Sequence, residues 1–356
     1  MSPIRDTELL AGLIVIAFVL WDAFETVVLP RTVRRRFRLT RFVVLLSWAT
    51  WRFVPVPSSS RESYLSFFGP LVLLFLVLVW AGGLILGFGL VLYGLHSIDK
   101  LGSSIYFSGT TFFTLGLGDI APKPNGSRVV VLLESGTGLA FLAMVIGYVP
   151  IFYQAFSRRE IAISLLDARA GSPPTALELM RRNGTGDTSE ILTQWERWTA
   201  ELLESHLSYP ILAFFRSQHD KQSWLSALTM ILDTCALAMV GIEGMRDGQA
   251  RFTFAIARHA LVDLTQIFYS SPQPPLPDRL DEAAFTQLLD SLTALGMPLV
   301  PDAASAEATL RTLRSAYEPF AFALSRRLLL SLPPWIPDAG HQDDWQTSPW
   351  DSLPPF

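Results

Sequence analysis

The sequence predicts an all-α membrane protein with membrane helices in its first half and a separate α-helical domain in its second. Hydrophobic residues make up 50% of the 356 residues and charged residues only 17%, a low charged share for a soluble protein. Apolar residues are denser before residue 156, whereas charges and prolines become frequent after residue 158. The second half shows no alternating strand pattern, so it is expected to be helical as well.

The composition also argues against several classes of partner and site. A net charge of −4 is too small to indicate a nucleic-acid partner. Cys235 is the only cysteine, so one chain has neither a disulfide framework nor a cysteine-based zinc site. The second half contains no G-x-G-x-x-G after a strand, no C-x-x-C and no nucleophile elbow. We therefore expect neither an enzyme nor a bound cofactor.

Residues 1–30 are expected to form an N-terminal transmembrane helix around the apolar run 9–29. About 20 residues cross a ~30 Å hydrocarbon core. The run lacks the basic start and the cleavage site of a signal peptide, so we expect the helix to be retained. Asp22 and Glu25 lie in its last third, within reach of lipid headgroups or arginine partners.

Residues 31–63 are expected to form a basic cytoplasmic loop and an interfacial helix. Six arginines in residues 31–41 favour the cytoplasmic side of a membrane. Arg35, Arg38 and Arg41 recur every third residue, as in a voltage sensor, but a sensor needs its arginines within an apolar span. The loop is therefore the preferred interpretation.

The apolar run 42–56 is short for a membrane crossing. It carries Trp48, Trp51 and Arg52, whose residue types favour the membrane–water boundary. We expect a helix along the inner leaflet, and a crossing stays open as the alternative.

Residues 64–157 contain two long apolar runs, 66–95 without any charge and 127–156 with only Arg128, near its start, and Glu134 as charges. Each run is long enough to span a bilayer with some tilt. Between them, residues 103–113 predict a helix too short to cross. Direct contact of Glu134 with an ion is open, as is pairing with Arg128 or with a hydroxyl of the short helix.

The run TLGLGD at residues 114–119 follows the short helix. Irregular backbone at membrane depth is tolerated only where protein buries it or where it lines water. Gly116 and Gly118 adopt φ > 0 at little cost, so successive carbonyls can face one axis and replace the water around a cation. Thr114 adds a hydroxyl, and Asp119 adds a carboxylate at the outer mouth. A closed ring of oxygens requires several chains.

Residues 105–122, IYFSGTTFFTLGLGDIAP, resemble the pore helix, selectivity filter and exit of potassium channels, whose filter reads TVGYGD. A GLG filter is similar to the second pore of some two-pore-domain potassium channels. Arg128 and Gly138 lie nine and nineteen residues after Asp119, where the family often has a basic residue and a hinge glycine. The resemblance covers roughly residues 66–156, under a third of the chain.

This resemblance implies a potassium-channel-like pore module with an outer helix, pore helix, filter and inner helix. An extra N-terminal transmembrane helix precedes it, and an α-helical cytoplasmic domain follows. The implied assembly is a homotetramer in a lipid bilayer that conducts K+ passively, with K+ as the permeant ion and with no nucleic acid. The implied filter residues are Thr114, Leu115, Gly116, Leu117, Gly118 and Asp119, with K+ held at the first four.

Two filter positions depart from the family. Phe113 replaces the threonine that precedes the filter threonine, and Leu117 replaces a tyrosine that bonds to the pore helix. A weakly selective monovalent cation channel is therefore one alternative. A membrane-anchored signalling or enzyme domain is another. A transporter subunit with four pore hairpins in one chain fits poorly, because the chain contains one T-x-G-x-G.

The inner helix carries four candidate gating hinges, Gly136, Gly138, Gly147 and Pro150. Glycine weakens a helix and proline removes a backbone hydrogen bond. Small residues also allow helices to pack closely, so hinge and packing interpretations both stay open.

Residues 158–332 are expected to form the helical cytoplasmic domain, and residues 333–356 a loose, proline-rich tail. The apolar run 225–245 is nearly long enough to span, but its amphipathic flanks favour a buried core helix. Caps and breaks predict loops at 171–175 and 181–190, a helix from a cap at Thr188 or Ser189 to about Leu207, and helices at 222–246, 248–270, 281–295 and 303–331.

A polar cluster in this domain is a candidate ligand site, formed by His206, Tyr209, Arg216, His219 and Asp220. His219 and Asp220 are the candidate metal ligands, and a satisfied network between helices is the alternative. We expect a multi-pass protein of a cell membrane, the bacterial inner membrane, with the C-terminal domain in the cytoplasm.

Overall fold

The computed structural model describes residues 3–29, 38–122, 126–219, 221–242, 247–297, 303–337 and 343. The chain divides into two compact units, Met1–Gln154 and Ala155–Phe356. Every regular element within the described ranges is a helix, which confirms the predicted all-α class.

The first unit contains five helices and the beginning of a sixth. They are α1 (Pro3–Ala23, continued by a π-helical turn, Phe24–Val28), α2 (Leu39–Trp51), α3 (Arg61–Ser66), α4 (Phe68–Gly94), α5 (Leu101–Phe112) and α6 (Ser127–Ala170). Of these, α1, α4 and α6 are long and apolar enough to cross a membrane. Helix α2 has 13 residues and is about 20 Å long, too short to cross, so the crossing alternative is wrong.

Glycines on α4 allow α1 to pack against it at short range. A Cβ added to Gly87 would lie 2.7 Å from Ile16, and one added to Gly94 would lie 2.7 Å from Leu9. Because lipid tails are as apolar as leucine, helices in a membrane associate through such close contacts. The order of the contacts shows that the two helices run antiparallel.

Asp22 joins α1 to α2 and α4. Its carboxylate accepts hydrogen bonds from the Thr40 backbone N–H (3.1 Å), the Thr40 hydroxyl (2.6 Å) and Trp80 Nε1 (2.9 Å). It thereby caps α2, whose N-cap residue Arg38 makes no side-chain cap bond. Asp22 is buried, and Thr40 and Trp80 are its side-chain partners among the described residues; most of the arginines expected near it lie outside those residues.

The arginine expectation is confirmed for Glu25. Its carboxylate lies 3.6 Å from Arg38 Nε, at the beginning of α2. Residues 30–37, which include most of the predicted basic loop and Arg35, lie outside the described residues.

The second unit contains the rest of α6 and six further helices. They are α7 (Ala176–Ser208), α8 (Trp224–Gly241), α9 (Asp247–Ile267), α10 (Glu282–Ala294), α11 (Ala303–Ser315) and α12 (Glu318–Leu328). Helix α8 is apolar enough to span a membrane, but 16 of its 18 residues are buried within the unit. The prediction of a core helix is confirmed.

Three predicted boundaries in this region are wrong. Helix α6 continues to Ala170 instead of ending near 156. Helix α7 begins after Thr175, whose hydroxyl accepts from the Glu178 N–H, and not at Thr188 or Ser189. Residues 181–190 are helical apart from Gly184 (φ 66°, ψ −176°), where the helix is kinked.

The predicted helix 303–331 is two helices. Pro319 near the beginning of α12 has no N–H to donate to a carbonyl of the preceding turn, so α11 does not continue through it as one regular helix. The described part of the tail is packed and not loose. Trp335 is 1% exposed, and Asp343 accepts hydrogen bonds from the Ser172 N–H (3.2 Å) and Arg182 (2.7 Å).

Candidate functional site

Two serines hold the short helix α5 against α4. The Ser104 hydroxyl donates to the Gly89 carbonyl (2.7 Å), and the Ser108 hydroxyl donates to the Ile85 carbonyl (2.8 Å). A Cβ added to Gly89 would lie 3.0 Å from Ile105 Cα, so the two helices are in backbone contact. The two serines are four residues apart on one face of α5, which fixes both its tilt and its rotation.

Helix α6 passes close to the C-terminal end of α5. A Cβ added to Gly138 would lie 2.0 Å from the Phe112 carbonyl oxygen, so only glycine fits. This contact gives Gly138 a packing role. Cβ atoms added to Gly136 and Gly147 meet nothing within 4 Å, and Pro150 lies inside the helix. Their role as hinges stays a prediction.

The loop after α5 has an alternating backbone. Positive φ values occur at every second residue, at Thr114 (57°), Gly116 (56°) and Gly118 (76°). In an extended strand successive carbonyls point to opposite sides. Turning every second residue into the left-handed region favours carbonyls on one side, as a row of ligands for a cation requires.

Thr114 is the one of the three that sequence reasoning missed. A β-branched residue disfavours positive φ, at a cost of roughly 1–2 kcal/mol, so its residue type gives no signal. The conformation is held by the end of α5, where the N–H groups of Thr114 and Leu115 donate to the Thr111 and Thr110 carbonyls (3.0 and 2.8 Å).

The whole loop is exposed in one chain. Every residue from 113 to 119 is exposed, including Leu115 at 63% and Leu117 at 62%. An exposed apolar loop beside membrane helices requires cover from other protein or from a water-lined axis. At its outer end, Asp119 lies close to Tyr106 of α5, a neighbour that the sequence analysis did not identify.

Glu134 is fully buried behind α5. Its carboxyl group contacts the Ser108 hydroxyl, which decides the sequence alternatives in favour of the hydroxyl of the short helix. Arg128 is exposed, and the described residues contain no ion pair between it and Glu134.

The polar cluster of the second unit does not converge on one site. His206 Nδ1 donates to the Leu202 carbonyl (2.8 Å), and its Nε2 faces Arg159 (3.4 Å). Burial and the Arg159 charge lower the pKa of His206 to about 3, so the ring is neutral. Arg216 instead donates to the carbonyls of Leu328 and Leu329.

Among the described residues, the other members of the polar cluster show no common binding site. Tyr209 is partly exposed, His219 is exposed, and Asp220 lies outside the described residues. In the part of the chain that the structure describes, no three His, Cys, Asp or Glu residues are grouped to hold a metal. The satisfied network is the interpretation that fits His206 and Arg216.

A second polar network in this unit was missed. Arg279 contacts Asp233 (2.5 Å) and Glu318 (3.0 Å), and the Tyr317 hydroxyl donates to Asp233 (2.5 Å). Although burial opposes its charge, Asp233 and Glu318 raise the pKa of Arg279. Arg314 completes the network through Glu318 (3.1 Å). Every one of these groups has an opposite or bonding partner, so the network serves the core.

The comparisons with known proteins give a family match that lies almost entirely in the first unit. Residues 73–155, which contain most of α4, all of α5, the loop and the first part of α6, match the family model described as "Ion channel". Over 210 residues, 56% of this chain, the sequence is 26% identical to the uncharacterized membrane protein YdjJ of Bacillus subtilis (strain 168). The match spans about 61% of that relative's length. No solved structure matches the chain.

Proposed function

We propose that this chain, whose residues 73–155 match the family model described as "Ion channel", is a homotetrameric, K+-selective membrane channel. Ions flow passively down their gradient, and the protein performs no covalent chemistry. The loop of residues 114–119 is the selectivity filter in this proposal.

One observation carries the proposal, the positive φ at Thr114, Gly116 and Gly118. A row of carbonyls on one side replaces the hydration shell of K+, and the Thr114 hydroxyl adds a further oxygen. K+ is held at Thr114, Leu115, Gly116 and Leu117, and repulsion between neighbouring ions helps each of them to leave.

The need for several copies follows from exposure. One chain leaves residues 113–119 uncovered, and α6 exposes Leu132, Leu139 and Ile146 at 62–73%. Four copies around one axis would enclose the loops and cover part of these faces. Asp119 of each copy would then place a ring of carboxylates at the outer mouth, which attracts cations.

The arginines of residues 31–41 support a cytoplasmic position for this loop. In this proposal α4 and α6 each cross the membrane once, so the C-terminal unit lies on the same side, in the cytoplasm of a bacterial cell. We propose that this unit assembles or regulates the channel.

The experiment is flux into liposomes that contain the purified full-length chain. We expect K+ uptake driven by its gradient alone, blocked by barium, together with a tetramer in detergent. A chain that stays monomeric, or flux that barium leaves unchanged, would contradict the proposal.

A weakly selective monovalent cation channel is the second candidate. Leu117 is 62% exposed and its side chain cannot donate a hydrogen bond to the pore helix. Reversal potentials in mixed K+ and Na+ separate the two candidates. A K+ to Na+ permeability ratio near one in the wild type would favour weak selectivity, especially if Leu117→Tyr raises that ratio.

A further inference from the structure

The Ser108 hydroxyl contacts two oxygen atoms from two other helices. One is the backbone carbonyl oxygen of Ile85 in α4, at 2.8 Å, and the other is Oε1 of Glu134 in α6. A hydroxyl has one proton to donate, and it can also accept. A backbone carbonyl only accepts.

These donor rules determine where the protons are. If both contacts are hydrogen bonds, the Ser108 proton goes to the Ile85 carbonyl, the one partner that cannot donate. The contact between Ser108 Oγ and Glu134 then needs a proton from the carboxyl group. An ionised Glu134 would instead leave two acceptor oxygens competing for one proton.

The surroundings of Glu134 agree with a neutral group. Its side chain is fully buried, and Oε2 has no hydrogen-bond partner among the described residues. No described cation forms an ion pair with it, and burial without a counter-charge strongly disfavours an ionised carboxyl group.

Asp22 shows the opposite arrangement in the same unit. Its carboxylate is also buried, but all its observed side-chain partners are donors, the N–H and O–H of Thr40 and the N–H of Trp80. In each of these contacts a carboxylate oxygen of Asp22 is the acceptor. The two buried carboxyl groups thus differ in the kind of group that faces them.

We propose that Glu134 is a neutral carboxylic acid that donates its proton to Ser108 and so positions the pore helix behind the filter. The bond joins α6 to α5, while the Ser108 bond to Ile85 joins α5 to α4. Ser108 lies six residues before Thr114, so this three-helix connection sets the position from which the filter begins. The protonation state stands on geometry alone, whereas the positioning role rests on the proposed channel function.

Infrared difference spectroscopy tests the proton without any channel assay. The 356-residue chain in lipid at neutral pH is compared with Glu134→Gln. We expect the difference spectrum to contain the carbonyl band of a protonated carboxylic acid. The matched control is Asp22→Asn, which should remove carboxylate bands instead. A Glu134→Gln difference spectrum without the acid band would overturn the proposal.

Flux tests the positioning role. Glu134→Gln keeps a neutral donor and should retain K+ flux within about twofold, whereas Glu134→Leu keeps the size and should lose roughly tenfold, the effect of one hydrogen bond. Equal flux in the two variants overturns the role.

If Glu134→Leu does not assemble, Ser108→Ala replaces it. Adding Glu134→Gln to Ser108→Ala should then lower flux no further, and an additional loss overturns the role. Absence of flux in the wild type contradicts the channel and leaves the infrared result intact.

Discussion

The pore loop and the charged core of the C-terminal unit differ in where their polar groups find partners. In the core, the Arg279 guanidinium bonds to Asp233, Glu318 and the Pro333 carbonyl, all within one chain. In the loop, residues 113–119 are exposed. One chain therefore completes the charged core, whereas in the proposed tetramer the loop needs the other copies to form a closed ring.

The comparison separates two kinds of damage. Removing one partner from a buried ion network leaves an uncompensated charge and lowers stability. Changing the loop removes few contacts inside a chain, since a Cβ added to Gly116 would meet nothing within 4 Å. Loop variants should therefore lose conduction while they keep their fold. Core variants should instead lose stability first.

The largest effect is expected from Gly116→Ala. The residue has φ +56°, where a Cβ costs roughly 1–2 kcal/mol in every copy, so the carbonyl row is lost. We expect K+ flux at the level of empty liposomes and an unchanged thermal unfolding midpoint. Gly102→Ala is the matched control, because its Cβ also meets nothing within 4 Å, and it should conduct normally. Normal flux through Gly116→Ala would contradict the filter assignment.

Arg279→Met should produce the largest loss of stability. It leaves Asp233 and Glu318 buried without their shared cation, at a cost of about 3–5 kcal/mol. The measurement is denaturant unfolding of the full-length chain. Arg311→Ala is the control, because its pair with Glu307 is exposed and should change the unfolding free energy by less than about 0.5 kcal/mol. Similar losses in the two variants would argue against the network.

Acidification should destabilise the C-terminal unit through His206. Its pKa is about 3 in the folded chain and about 6.5 when unfolded. The unfolded chain binds the proton first, so this stability is present above pH 6.5 and falls as pH drops towards 3. Between pH 7 and 5 we expect a loss of about 2 kcal/mol in unfolding free energy. His206→Asn should remove that part of the pH dependence, and an unchanged pH profile in this variant would count against it.

A smaller effect is expected from Gly138→Ala. The new Cβ would press on the Phe112 carbonyl and displace the pore helix, at a cost of roughly 1–3 kcal/mol. Gly147→Ala meets no neighbour and should leave stability unchanged. Thermal unfolding in detergent compares the two variants. Flux through Gly147→Ala then tests its hinge role separately from packing.

Local patterns predicted the membrane helices and the loop well. The long apolar runs lie close to α1, α4 and the first part of α6, and TLGLGD gave two of the three positive-φ positions. These features depend on residue type and on neighbours in sequence. The positive φ of Thr114 depends on how α5 ends, which no composition rule contains.

Features made by distant residues were missed. Arg279 is 46 residues from Asp233, and Tyr317 is 84 residues from it, so no local window joins them. The loop predicted at 181–190 is too long. Glycine and asparagine there indicate a turn, but the non-helical conformation is confined to Gly184, and the helix continues on both sides of it.

The way α1 lies in the glycine groove of α4 limits how this protein can be shortened. A fragment beginning at residue 64 would expose that groove to lipid and would leave the Trp80 indole N–H without its acceptor. Such a fragment would retain the proposed filter, but α4 would lack the helix that packs against it. A shortened variant should therefore keep the first thirty residues, because α1 packs against α4.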